Sequence, residues 1–180
     1  MGNFYRIGGR VFALALMCAG ASAAHGAGSA APAKVVVVSQ LSFIAVEELE
    51  FGNILPSAAA GTVIVAPDGV RTRTGGVTLV GGLVQPARFA GRGTFNQVVQ
   101  ISLAAPFFTL TRSGGTETMR LDTIVIGSTP TAVLTPTPGT FRITSPTGIF
   151  NFPIGGTLRV NTNQAPGDYS GNLTITLNYQ

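Results

Sequence analysis

Thiol and imidazole chemistry have almost no material in this chain. Its 180 residues include one cysteine, Cys18, one histidine, His25, and no tryptophan. Only 10% of the residues are charged. Both Cys18 and His25 fall in an N-terminal stretch of distinctive build. Arg6 and Arg10 precede an apolar run from Val11 to about Ala21, and the small residues GASAAHGAGSAAPA follow. A basic start, a short apolar run and small residues at A-x-A-like positions read as a secretory signal peptide over residues 1–26. The cut would fall after Ala23 or Gly26. The run is shorter than the ~20 residues that cross a bilayer, so no transmembrane segment is expected after cleavage. Processing would remove Cys18 and leave a mature chain without disulfide or redox chemistry. The usual Cys and His set for zinc is then missing, and so is any thiol or imidazole nucleophile. No metal and no cofactor are expected.

Charge of one sign is also scarce. Arg6 and Arg10 belong to the signal segment, which leaves nine of the eleven basic residues against seven acidic ones. Arg71, Arg73, Arg88, Arg92 and Arg120 are scattered rather than clustered, and nucleic-acid binding needs a basic patch or stripe. Acid–base work would need paired carboxylates. Glu47, Glu48 and Glu50 are close in sequence, but on a strand Glu48 and Glu50 share a face opposite Leu49 and Phe51. That is the pattern of a solvated outer face. Asp68 and Asp168 stand in turns, where Asp is favoured for backbone reasons. The Gly-Gly pairs lack the Lys-Ser/Thr and the helix of a phosphate loop. The chain is expected not to be an enzyme.

What is present is turn and strand material. Twenty-four Gly and eleven Pro separate short runs rich in Val, Ile, Thr and Phe, the pattern of many short strands. TVIVAPDGVRTRT predicts a hairpin, with strands at Thr62 to Ala66 and Val70 to Thr74 around Pro67-Asp68-Gly69. Further strands are expected at Val77 to Val80, Ala87 to Ala90, Gln97 to Leu103, Phe107 to Thr111 and Thr118 to Ile126. STPTAVLTPTPGT reads as a surface loop, and GTFRIT, GGTLRVNTN and the C-terminal stretch follow as strands. No window after the signal segment has a helical period. The fold class is therefore all-β, a β-sandwich. Alternation assigns to its core Phe89, Val98, Ile101, Leu103, Leu121, Ile124, Ile126, Phe141, Ile143, Leu158 and Val160.

Two segments stand out. In VVVVSQLSF, one register puts Ala33, Val35, Val37, Leu41 and Phe43 on a shared face, as a first strand or as a strand meant for another subunit. In GDYSGNLTITLNYQ, Leu173, Ile175, Leu177 and Tyr179 alternate with polar residues. An outer-membrane barrel would want a final aromatic residue and aromatic girdles, and this sequence ends on Gln180. The C-terminal pattern resembles that of chaperone–usher pilus subunits, with Tyr179 penultimate and Gly167 fourteenth from the end. Across residues 35–180 the motifs LEFGNI, AGTVIVAPDGVRT, ARFAGRG, GGTLRV and GDYSGNLTITLNY resemble the bacterial secreted domains grouped as domain of unknown function 4402.

These resemblances imply an immunoglobulin-like, pilin-like sandwich that a donated strand can complete. They divide the chain into a signal peptide (1–26), an N-terminal extension (27–40) and a sandwich domain (41–180). They imply an exported, non-enzymatic structural subunit of a surface fibre. Gly167, Leu173, Ile175, Leu177 and Tyr179 would then form the strand facing a chaperone or neighbour, and Ala33, Val35 and Val37 the donor strand. The implied partners are copies of the chain or related subunits, a periplasmic chaperone and an outer-membrane usher, with the protein passing through the periplasm to the cell surface. The competing expectation is a self-contained surface sandwich with an adhesive or ligand-binding role.

Overall fold

The computed structural model describes residues 34–128 and 131–180. The chain divides into residues Met1–Val36 and Val37–Gln180. In the first unit, Lys34 to Val36 are exposed and without regular structure. Ala33 lies outside the described residues.

In the second unit the chain forms twelve strands among the described residues. They are β1 (Ser42–Glu47), β2 (Glu50–Val65), β3 (Arg71–Gln85), β4 (Ala87–Arg92), β5 (Val98–Leu103) and β6 (Phe108–Arg112). Then come β7 (Thr118–Ile126), β8 (Ala132–Val133), β9 (Gly139–Arg142), β10 (Ile149–Val160), β11 (Tyr169–Ser170) and β12 (Ile175–Tyr179). The large sheet runs β1-β4-β10-β7-β6-β11, with β2 also paired to β10, β3 to β2 and β8 to β7. The small sheet is β12-β5-β9. All pairings are antiparallel. The all-β sandwich expected from the alternation is what the chain forms.

Long β10 organises the large sheet. Residues Ile149–Ile154 pair with β4 and Gly156–Val160 with β2, so two strands share one of its edges end to end. Its other edge carries β7. Between Gly155 and Thr157 the register with β7 slips, and opposite the slip Thr123 has φ 49°. A β-branched residue there is a true outlier, and such a bulge re-aims the side chains around it. Leu121 and Asp122 are consequently both buried, and the inward set resumes at Ile124 and Ile126.

The sheets meet over a phenylalanine cluster. Phe89 of β4 stacks on Phe152 of β10 at 5.6 Å between ring centroids. Phe141 of β9 reaches Phe150 at 5.5 Å and Phe152 at 6.2 Å. Phe43 of β1 joins through Phe89 at 6.1 Å. Burying Phe89 and Phe152 contributes about 1.5–3 kcal/mol each, and the half-buried Phe43, Phe141 and Phe150 contribute less. Val99, Ile101 and Leu103 of β5 are buried alternately. Val98, expected in the core, is instead half-buried: Ile101 and Leu103 fix the inward parity, and a period of two puts Val99 with them.

The expected hairpin exists, with Pro67-Asp68-Gly69 in its turn, and it continues far beyond the predicted strands. Its arms stay paired from Val65↔Arg71 out to Glu50↔Gln85, with register breaks on the way. Arg71 Nη1 donates to the carbonyls of Phe51 at 2.8 Å and Gly81 at 3.1 Å. In a straight ribbon Arg71 and Gly81 would be roughly 33 Å apart, beyond any arginine side chain. The hairpin is therefore folded back on itself. The fold falls at the break between Pro56 and Gly61. There Gly75 takes φ 67°, and a Cβ on it or on Gly76 would collide with the carbonyls of Ala60 and Ala59. The far half of the ribbon brings Leu49 close to Gly156 of β10.

Candidate functional site

The folded ribbon leaves a cleft of about 730 Å³ beside the packed core. Leu110, Met119, Leu158 and Val160, from β6, β7 and β10, line it. One wall is the chain from Leu49 to Pro56, with Leu83 of β3. The other is the corner from Gln164 to Tyr169. Leu55 and Leu83 are exposed and give it an apolar rim.

One strand edge beside it is unpaired, and so is one edge of β12, whose residues do not line the cleft. Glu50–Pro56 of β2 pairs with β3 only, because β10 takes just Gly61–Val65. β12 pairs with β5 from Ile175↔Leu103 to Tyr179↔Val99, and no strand among the described residues takes its other edge. Unpaired edges of this kind invite another strand.

The corner wall is built rigidly. Tyr169 Oη donates to the carbonyl of Ala165 at 2.7 Å and accepts from Gln164 Nε2 at 2.7 Å. A tyrosine entering a strand and bonding back to the backbone just upstream is the tyrosine corner of sandwich folds. Buried Gln164 also accepts from Asn161 Nδ2 at 2.9 Å. Gly167 takes φ 140°, and a Cβ on it would press on the Arg112 stem. Arg112 bonds Glu117 at 2.7 Å and the Pro166 carbonyl at 3.3 Å. The hydrogen bond and charge of Glu117 raise the Arg112 pKa, while the Arg112 hydrogen bond holds the Glu117 carboxyl below its ordinary value.

One buried carboxylate lies away from the cleft. Asp122 bonds Arg159 Nε at 2.6 Å and pairs with Arg120 Nε at 3.0 Å. Burial pushes its carboxyl up, but Arg159, Thr123 and Arg120 outweigh that and hold it below its ordinary value. Arg120 also stands over the Phe107 ring at 4.3 Å. The described residues hold no group of three His, Cys, Asp or Glu placed to bind a metal. No helix among them is long and apolar enough to cross a membrane.

The residues singled out in the sequence fall in three places. Gly167 lines the cleft, at the corner rather than on a strand. Ile175 and Leu177 of β12 are buried, and Leu173, just before that strand, packs half-buried against the core. Tyr179 is half-buried at the far end of β12, and its hydroxyl bonds Thr94 and Ser39. Val35 and Val37 are exposed, in a stretch with no strand from Lys34 to Gln40. Leu41 and Phe43, placed in the same register, do pack on the core. The Leu49–Pro56 wall, Arg71 and Thr94 were not foreseen. The glycines at 61, 75 and 76 were the available signal for the wall, since a strand that bends sharply needs them.

These features define a class: an all-β sandwich with a cleft beside an unpaired stretch of strand edge. Residues 41–179 match the family described as Domain of unknown function (DUF4402), and the chain belongs to that family. The resemblance drawn from LEFGNI, AGTVIVAPDGVRT and the accompanying motifs is borne out for this family. No curated protein is similar enough to match the chain.

Proposed function

We propose that this chain is an exported, non-enzymatic structural subunit of a cell-surface fibre, assembled by strand donation between copies. The observation that carries the reading is the 730 Å³ cleft with the unpaired Glu50–Pro56 edge of β2 beside it. A strand laid there would gain main-chain bonds from the open edge and rest alternate side chains on half-buried Leu110 and the exposed Leu55 and Leu83, the physics of β-strand addition. The segment with the matching character is Ala33 to Val38, whose valines are exposed in this chain. Copies linked head to tail in this way do not close a ring and make a filament. A periplasmic chaperone shielding the cleft and an outer-membrane usher are the partners this route needs, and the signal-like residues 1–26 suit an exported protein.

A self-contained sandwich is the second reading. It is favoured by the fact that no buried side-chain nitrogen or oxygen among the described residues lacks a hydrogen-bond partner. Deleting residues 31–39 from the purified, processed protein separates the two. Strand donation predicts that the truncated protein stays folded, ceases to polymerise, and binds an added peptide of residues 31–39. A truncated protein that still polymerises, and ignores the peptide, sinks the donation reading.

A further inference from the structure

Val37 and Val38, just ahead of a residue held at the end of an open strand edge, do not pair with that edge. Val37 is 85% exposed and Val38 44%, although Ser39, the next residue, sits at the C-terminal end of β12. What holds Ser39 there is specific. The Tyr179 hydroxyl donates to the Ser39 carbonyl at 2.8 Å and accepts the Thr94 N–H at 2.8 Å. The Ser39 N–H in turn donates to the Thr94 hydroxyl. Both backbone polar groups of Ser39 are thus taken by partners off the β12 edge. The anchor also fixes direction. A segment that ends at Ser39, beside Tyr179, can lie along its own β12 only in parallel, the weaker pairing. A segment from another copy has no such constraint.

We infer that the Tyr179 hydroxyl is a latch that keeps the N-terminal segment off the edge of its own β12, leaving that edge open to the segment of a second copy. The inference rests on the strand-donation reading and adds what decides between donation within one chain and between chains. Tyr179 acts here as a positioning residue, through Ser39 and Thr94.

The test uses the processed protein carrying Val37→Cys and Thr176→Cys, a pair free of background because the sequence's one cysteine is Cys18. With Tyr179 present, oxidation should link chain to chain. With Tyr179→Phe added, two hydrogen bonds are lost. Cross-links within one chain should then rise about tenfold relative to those between chains, with the melting temperature little changed. Thr94→Val, which cuts only the bond to the Ser39 N–H, should shift the ratio the same way by less. An unchanged ratio in both variants overturns the latch while leaving donation standing. No cross-link between chains in any variant overturns donation onto β12 and the latch together.

Discussion

Around β4 and β10, five phenylalanines fill the space under the small sheet, whereas beneath the folded half of the β2–β3 ribbon four aliphatic side chains line a cleft. In the first region ring meets ring across the two sheets. In the second an apolar floor is bordered by backbone and polar groups of the ribbon and the corner. The two regions share strands: Phe152 and Leu158 are six residues apart on β10. The difference lies in what covers them. Phe150 and Phe152 meet Phe141 of β9, while Leu158, itself buried, lies at the floor of a cleft between a corner and a bent ribbon.

Three variants probe this contrast. Phe152→Ala removes the ring at the centre of the cluster and should cost about 3–5 kcal/mol, read from denaturant unfolding. A loss as small as that of a surface change would mean that the closed region is not the source of stability. Asp122→Asn should cost about 1–3 kcal/mol, the lower end reflecting the half-exposed arginines. It also has a pH signature. The Asp122 carboxyl is held below its ordinary value in the folded chain. The stabilisation is therefore complete above the unfolded pKa of about 3.9 and is lost as pH falls through the lower folded value. Wild-type stability should fall on acidification in that range, and the variant should lose this part of the slope. The smallest effect on stability belongs to the cleft rim. Leu55→Ser with Leu83→Ser should leave unfolding within about 0.5 kcal/mol of wild type while weakening binding of the 31–39 peptide. Equal binding in the double variant would remove the rim from the site.

The core was largely legible in the sequence. Leu121, Ile124, Ile126, Leu158 and Val160 were assigned to the core from alternation, and they are buried. The failures have physical causes. Choosing Val98 over Val99 ignored the parity that Ile101 and Leu103 impose. The bulge at Thr123 leaves no mark in residue type, since threonine is an ordinary strand former. The cleft was illegible because its wall depends on a contact between Arg71 and Phe51, twenty residues apart in sequence. No local pattern announces that a ribbon will fold over. Ile149–Ile154 was also missed, since NFPIGG looks like a turn until β4 and β7 are placed beside it.

The strap that folds the ribbon has one more property. Arg71 grips two backbone carbonyls, and carbonyls do not titrate. The bulge at Asp122 is bonded through a carboxylate, and so is the corner wall, where Glu117 holds the arginine that reaches the Pro166 carbonyl; the ribbon wall is strapped by an arginine and two amide oxygens. Acid would therefore act on the bulge and on the corner, and the fold in the ribbon would be the last of the three to feel it.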